Sequence, residues 1–251
     1  MNFRLPSTIS VIAGILIICS CSFFTPEIVP DSSKKLLKEG VTALKLDQGI
    51  RAKTIFKQVL EDFPDSKERT QALLLLARTH YSFEEYEEAK FHFQNFIELH
   101  PVHKLAHRAY FFKAMSDYQM MDLASRDQTA TREALDGFRQ LINRFPKSQY
   151  LKEAKKKAQE CTFKLAQNIL EIGKFYYRTG SYHSAISRFK NLLSDHSQQK
   201  FFDEATFLLA ESYYHEQNFD ESSVFYRKLL KEYPRSRFTL EAKKRLRALR
   251  R

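Results

Sequence analysis

A spaced pair of a small residue and an aromatic, Ala-x-x-x-Phe, recurs down this 251-residue chain and restricts its fold more than any other feature. The pair stands at Ala52/Phe56, Ala89/Phe93, Ala134/Phe138 and Ala185/Phe189, with Ser222/Tyr226 as a conservative fifth copy. Twelve residues after the first member come Pro64, Pro101, Pro146, Ser197 and Pro234. Twelve before it, in four copies, stand Gly40, Ala77, Gly173 and Ala210. Residues four apart share a helix face. Small residues let two helices cross closely, and a proline cannot continue a helix. Each copy therefore predicts a pair of helices closed by a breaker. Six glycines, seven prolines and no tryptophan, beside abundant Ala, Leu, Lys and Glu, agree with an all-helical chain.

The arrangement resembles the tetratricopeptide signature, whose period is about 34 residues. Here the copies are 37, 45, 51 and 37 apart, so they carry additions. The predicted fold is all-α: a tetratricopeptide-repeat solenoid of about five helix-turn-helix repeats plus a C-terminal capping helix. Such hairpins cannot bury their apolar faces alone, so they stack. Ser66, Ser148 and Ser236, just after the prolines, are candidate N-caps. Gly180 suits the turn between the helices of the fourth repeat. "MMDLASRDQTATRE" makes a long excursion inside the third repeat, and excursions from tight solenoids carry binding. "SQYLKEAKKKAQECTFKLAQ" lacks a breaker and predicts one long helix joining two halves. In the last segment Phe238, Ala242, Leu246 and Leu249 form an apolar stripe, with bases around it.

The N-terminus sets the compartment. Arg4 is followed by an apolar run from Ile9 to Ile18, too short for a span of roughly 20 residues but suited to a signal peptide. Ile18-Cys19-Ser20-Cys21 resembles the lipobox of bacterial lipoproteins. That resemblance implies cleavage before Cys21, which becomes the acylated N-terminus with a covalent diacylglycerol and an N-acyl chain, while Cys19 leaves with residues 1–20. A plain signal peptide or an uncleaved anchor is the alternative. Stable anchoring needs more than one chain. Ser22, where an Asp marks inner-membrane retention in such lipoproteins, points to the outer membrane. Cys161 is then the only thiol left, so the mature chain has no intrachain disulfide, and its helical context predicts a small buried hydrophobe.

Chemistry of the enzymatic kind is not advertised. The glycines are too scattered for a phosphate loop, and neither G-x-S-x-G nor H-E-x-x-H occurs. His100, His103 and His107 have spacings that suit a metal but no carboxylate or thiol among them from 100 to 107. Glu84, Glu85, Glu87 and Glu88 open a helix, where acids favour the dipole and are otherwise solvated. The formal charge is +11, one less once Arg4 is removed. Arg245, Arg247, Arg250 and Arg251, with Lys243 and Lys244, suit anionic head groups or an acidic partner, with a merely solvated capping helix as the third reading. Export argues against nucleic acid.

Beyond these local signals the chain resembles the BamD family, the lipoprotein component of the outer-membrane barrel-assembly machinery. The likeness runs through the lipobox, "PDSSKKLLKEG", "IELHPVH", "SRDQT", "LINRFPKSQYLKEA" and "GKFYYRTGSYHSAISR". Ser197 in place of Pro and the basic tail depart from the pattern. The resemblance implies a scaffold and not an enzyme, with no cofactor beyond the lipid on Cys21. It implies an address on the periplasmic face of the outer membrane. It implies a linker over 21–30, substrate-facing repeats over 31–146 and partner-facing repeats with the cap over 147–251. Unfolded outer-membrane β-barrel proteins would be received on the first part. A BamA-like barrel protein, together with other assembly lipoproteins, would be held by the second. A helices fill the hollow face of such a solenoid, which nominates Arg78 and Tyr81, with Leu37 and Leu44, for the substrate groove; an ordinary structural role is the competing reading for all four. Arg188 faces away from the Ala185/Phe189 stripe and can pair with a partner carboxylate, a merely solvated arginine being the competing reading, and Arg126, Asp127 and Gln128 of the long loop join it as partner-binding candidates. The alternative class is an envelope tetratricopeptide lipoprotein that coordinates cell-wall or division proteins.

Overall fold

The computed structural model describes residues 30–195 and 200–249; Cys19, Cys21, Ser197, Arg250 and Arg251 lie outside them. Among the described residues there are eleven helices: α1 (Pro30–Lys45), α2 (Gly49–Asp62), α3 (Lys67–Ser82), α4 (Tyr86–Leu99), α5 (Ala106–Gln119), α6 (Thr129–Arg144), α7 (Leu151–Arg178), α8 (Tyr182–Asp195), α9 (Phe202–His215), α10 (Phe219–Glu232) and α11 (Thr239–Ala248). Each packs on the next, and α1 on α3, α3 on α5 and α7 on α9 add the A-to-A packing of a stacked solenoid. The fold is thus the predicted one: five helical hairpins, α1/α2 to α9/α10, capped by α11.

The repeated pair explains the stacking. Phe56, Phe93, Phe138, Phe189 and Tyr226 are all fully buried, as are Ala52, Ala89, Ala134 and Ala185. Burying one such ring contributes about 2–3 kcal/mol. In the first and fourth repeats the glycine twelve positions before the Ala is what admits it. A Cβ on Gly40 would lie 2.5 Å from the Phe56 ring, and one on Gly173 would lie 2.5 Å from that of Phe189. Ser222 replaces Ala without loss because its hydroxyl donates to the Ala210 carbonyl at 3.0 Å.

The hairpin turns follow one rule. Asp47 (φ 58), Glu84 (φ 60), Gly180 (φ 77) and Gln217 (φ 59) each lie five residues before the repeat's Ala or Ser, in the left-handed region. The next amide reaches back to close the helix: Gln48 to Ala43 (2.8 Å), Glu85 to His80 (3.0 Å), Ser181 to Tyr176 (2.9 Å) and Asn218 to Tyr213 (2.9 Å). That is a Schellman closure. Only Gly180 announced it by residue type.

The turns between repeats are set by proline. Phe63, His100, Phe145 and Tyr233 precede the prolines and share φ near −130° and ψ of 53 to 64°. Proline disfavours the α region for the residue before it, so the helix ends there. Of the three predicted N-caps, Ser66 is one, accepting from the Arg69 amide at 3.2 Å. Ser148 and Ser236 stand three residues before their helices begin and accept from the Tyr150 and Phe238 amides instead, because α7 and α11 start later.

The breakerless segment forms α7, which extends through the A helix of the fourth repeat to 28 residues. One core, built on Phe93, Phe111 and Phe138, ends at Cys161; the next, built on Phe189 and Leu209, begins at Ala166. The change of core therefore falls inside a continuous helix.

Candidate interaction surfaces

Arg78 and Tyr81 come together on the side formed by α3, α5 and the start of α7. The Arg78 guanidinium lies 5.8 Å above the Phe112 ring. Tyr81 meets Phe112 edge-on at 5.2 Å, and Tyr150 does so at 5.9 Å. Burial, then the nearby Arg108, lowers the Arg78 pKa. An aromatic shelf with a cation on it suits an extended segment with aromatic side chains. Leu37 does not belong to it: at 7% exposed it packs in the first-repeat core with Ala52 and Phe56, and Leu44 leans on the same core. Phe112 and Tyr150 were missed by the sequence reading. The adjacent Phe111-Phe112 was the available signal, since neighbouring residues on a helix cannot share one face.

The excursion between α5 and α6 is a built loop. Gln128 is 2% exposed, and its amide donates to the carbonyls of Leu123 (2.7 Å) and Arg126 (3.1 Å) while accepting from the Thr131 hydroxyl (2.9 Å). Its side chain is therefore an internal brace and is not offered to a partner. Asp127 accepts from the Thr129 amide at 2.9 Å, and this bond holds its carboxyl below the usual range. Arg126 is on the surface, paired loosely with Asp122 at 3.3 Å. Asn168 of α7 donates to the Ala124 carbonyl at 2.6 Å and ties the loop down.

That tether brings the loop beside the fourth repeat. Ser125, Glu171, Phe175, Arg178 and Arg188 line one depression of about 490 Å3. Arg188 is exposed, as the sequence predicted, and Phe175 beside it is 55% exposed. Two stretches far apart in sequence thus meet at an apolar ring flanked by guanidinium groups. Exposed arginine and aromatic side chains are the residue types of energetic anchors in interfaces.

The other sequence candidates have internal partners. Glu85 accepts from Lys53 at 2.7 Å and approaches His80 at 2.6 Å, and the Lys53 bond holds its carboxyl low. Glu84 is a turn residue, so no paired-acid site forms. His100 faces Thr70 (3.3 Å), His103 accepts from the Leu105 amide (3.2 Å) and His107 faces Ser148 (3.1 Å). Among the described residues no group of three or more His, Cys, Asp or Glu side chains is placed to hold a metal ion. Cys161 is buried with its sulfur 3.8 Å from that of Met121, and burial pushes the thiol up to about 12, away from nucleophile behaviour. Arg245 corrects the reading of the basic tail: it turns inward to the Glu211 carboxylate, because burying that acid requires a cation. Among the described residues no helix is long and apolar enough to cross a membrane.

A family model described as outer membrane lipoprotein (YfiO) matches residues 30–223. Curated relatives are named outer membrane protein assembly factor BamD. That of Caulobacter vibrioides is 29% identical over 78% of this chain and 65% of its own length, just under two thirds. That of Rickettsia prowazekii is 29% identical over 81% of each chain. That of Neisseria gonorrhoeae is 25% identical over 72% of each. Among solved structures, the TPR2AB domain of yeast Sti1 in its pHSP90 complex aligns with TM-score 0.45 at 14% identity, covering 88% of this chain and 84% of that one. A thermophilic TPR protein of Thermus thermophilus aligns with TM-score 0.38 at 20% identity, covering 86% and 98%. With most of the solenoid matched by one model and its relatives sharing one name, this chain belongs to the YfiO/BamD family of outer membrane lipoproteins.

Proposed function

We propose that the protein is a non-enzymatic scaffold of outer-membrane protein assembly, held at the periplasmic face of the outer membrane by acyl chains on Cys21. The Arg188 depression docks the periplasmic part of a BamA-like barrel protein, with Arg188 and Arg178 facing carboxylates and Phe175 covered by an apolar side chain. Arg126 and Asp127 of the adjoining loop extend that contact. The shelf of Arg78, Tyr81, Phe112 and Tyr150 receives aromatic-rich segments of unfolded outer-membrane proteins. Other assembly lipoproteins share the scaffold, and nucleic acid has no part.

The observation that carries this reading is the meeting of the long loop and Arg188 on one exposed apolar ring. Capture of the full chain from envelope extracts tests it. Recovery of a barrel protein with periplasmic domains, lost on Arg188→Glu and reduced on Phe175→Ala, is the expected result. Recovery of cell-wall or division proteins alone would overturn it. For the anchor, Cys21→Ala should release the protein from the membrane fraction.

A further inference from the structure

The length of α7 creates a second surface on which none of the partner contacts above depends. α7 has 28 residues, against 14 in each of α8 and α9. At about 1.5 Å per residue, the C-terminal hairpins attach roughly 20 Å further along than simple stacking would place them. The rings confirm the step: Phe163, midway along α7, meets Phe201 at the entry to α9 with centroids 5.4 Å apart. A groove of about 910 Å3 opens between the end of α5 and the start of α9, with α7 as its floor.

Its chemistry is of two kinds. Tyr118, Met121 and Phe163 supply apolar surface, and Phe163 is 37% exposed. Lys156, Lys164 and Lys200 supply charge. The one acid in the groove, Glu160, accepts from the Tyr118 hydroxyl (2.5 Å) and from Lys157 (3.0 Å), a lysine outside the groove lining. Lys156 is at the outer limit of an ion pair with it, 4.0 Å away, and Lys164 and Lys200 have no carboxylate within ion-pair distance among the described residues. Three cations around an apolar floor, with the local acid already bonded, form a surface complementary to alternating carboxylates and an apolar side chain.

We propose that this groove docks an extended acidic segment of a partner polypeptide, its carboxylates between Lys156, Lys164 and Lys200 and one aromatic side chain on Phe163, Met121 and Tyr118. The site is separate from the Arg188 depression and holds whether or not the reading of that depression does.

The probe is a fluorescein-labelled peptide, Asp-Glu-Asp-Phe-Asp-Glu-Asp, titrated against the full chain in detergent and followed by anisotropy. Saturable binding is expected, weakened about tenfold or more by the combined Lys156→Ala, Lys164→Ala and Lys200→Ala variant. Phe163→Ala should weaken it several-fold, and Arg188→Glu should leave it unchanged. Lys156 and Lys200 are exposed and Lys164 is half-buried, and unchanged circular dichroism accompanies the loss. Undiminished binding by the triple variant overturns the site. So does equal affinity for the peptide with Ala in place of Phe, which would mean diffuse polyanion attraction, or for the peptide with Lys in place of every acid.

Discussion

Arg245 of the capping helix and Glu211 of α9 form a two-point salt bridge: Nε donates to Oε1 and Nη2 to Oε2, both at 2.9 Å. The same carboxylate accepts from the Tyr226 hydroxyl, and the guanidinium lies 4.6 Å over the Tyr214 ring. The Glu211 side chain is 5% exposed, so removing its cation leaves a buried charge. Arg245→Ala should lower stability by about 3 kcal/mol, at the lower end for buried pairs because Arg245 is half-buried. Glu211→Leu with Arg245→Leu should recover most of that loss. Urea unfolding of the two variants checks both, and a double variant as unstable as the single one would contradict the account.

Acid should weaken the second repeat through His92. Burial, then His80 and Lys57, with Glu88 opposing, lower its pKa from the usual 6.5 to about 4. Between those values the unfolded chain takes up a proton that the folded chain refuses. Stability is therefore complete above about 6.5 and falls as pH drops toward 4. His100 and His107, lowered mainly by burial, act with the same sign. The Glu85 contribution is lost only lower, as pH falls from the usual glutamate value through its depressed one. His92→Phe should remove about 1–3 kcal/mol of the difference between neutral pH and the acid end of that window. Thermal unfolding across the range measures the slope.

The left-handed turn positions give a paired test. Nothing lies within 4 Å of a Cβ built on Gly180, so Gly180→Ala isolates the backbone term and should cost about 1 kcal/mol. At the equivalent turn Gln217→Gly should stabilise by about 0.5–1 kcal/mol. Opposite signs in differential scanning calorimetry are the expected outcome.

Gln128→Glu should harm the loop more than Gln128→Ala. The glutamate would aim a carboxylate at the carbonyls of Leu123 and Arg126, where the amide now donates two bonds. The alanine removes both side-chain bonds: the Leu123 carbonyl keeps the Arg126 amide at 3.0 Å, while the Arg126 carbonyl loses its donor, at a cost of about 1–3 kcal/mol. Hydrogen exchange over residues 122–128 should rise in Gln128→Ala and rise further in Gln128→Glu.

How much of this was legible depends on the range of the forces involved. Repeat register, pre-proline helix ends and the unbroken α7 are set by neighbours within a turn or two, and all stand in the sequence. Arg245 reads as one base among six because its partner lies a repeat away. Gln128 reads as a loop polar residue because its three bonds form only once the loop closes. Leu37 and Arg78 both sit on A helices, and only stacking decides which faces the core. Arg188 was found because the Ala185/Phe189 stripe fixes the opposite face. Phe175 was not, since an aromatic on a helix ordinarily reads as core.

Because one uninterrupted α7 carries both cores, it acts as an axle whose angular phase is written in residue count. Dropping a single residue between Cys161 and Ala166 would shorten it by about 1.5 Å and swing everything downstream by about 100°. The bearing of Arg188 relative to Arg78 is thus a matter of arithmetic along one rod, and a length change there would rotate the two ends out of alignment while leaving each end intact.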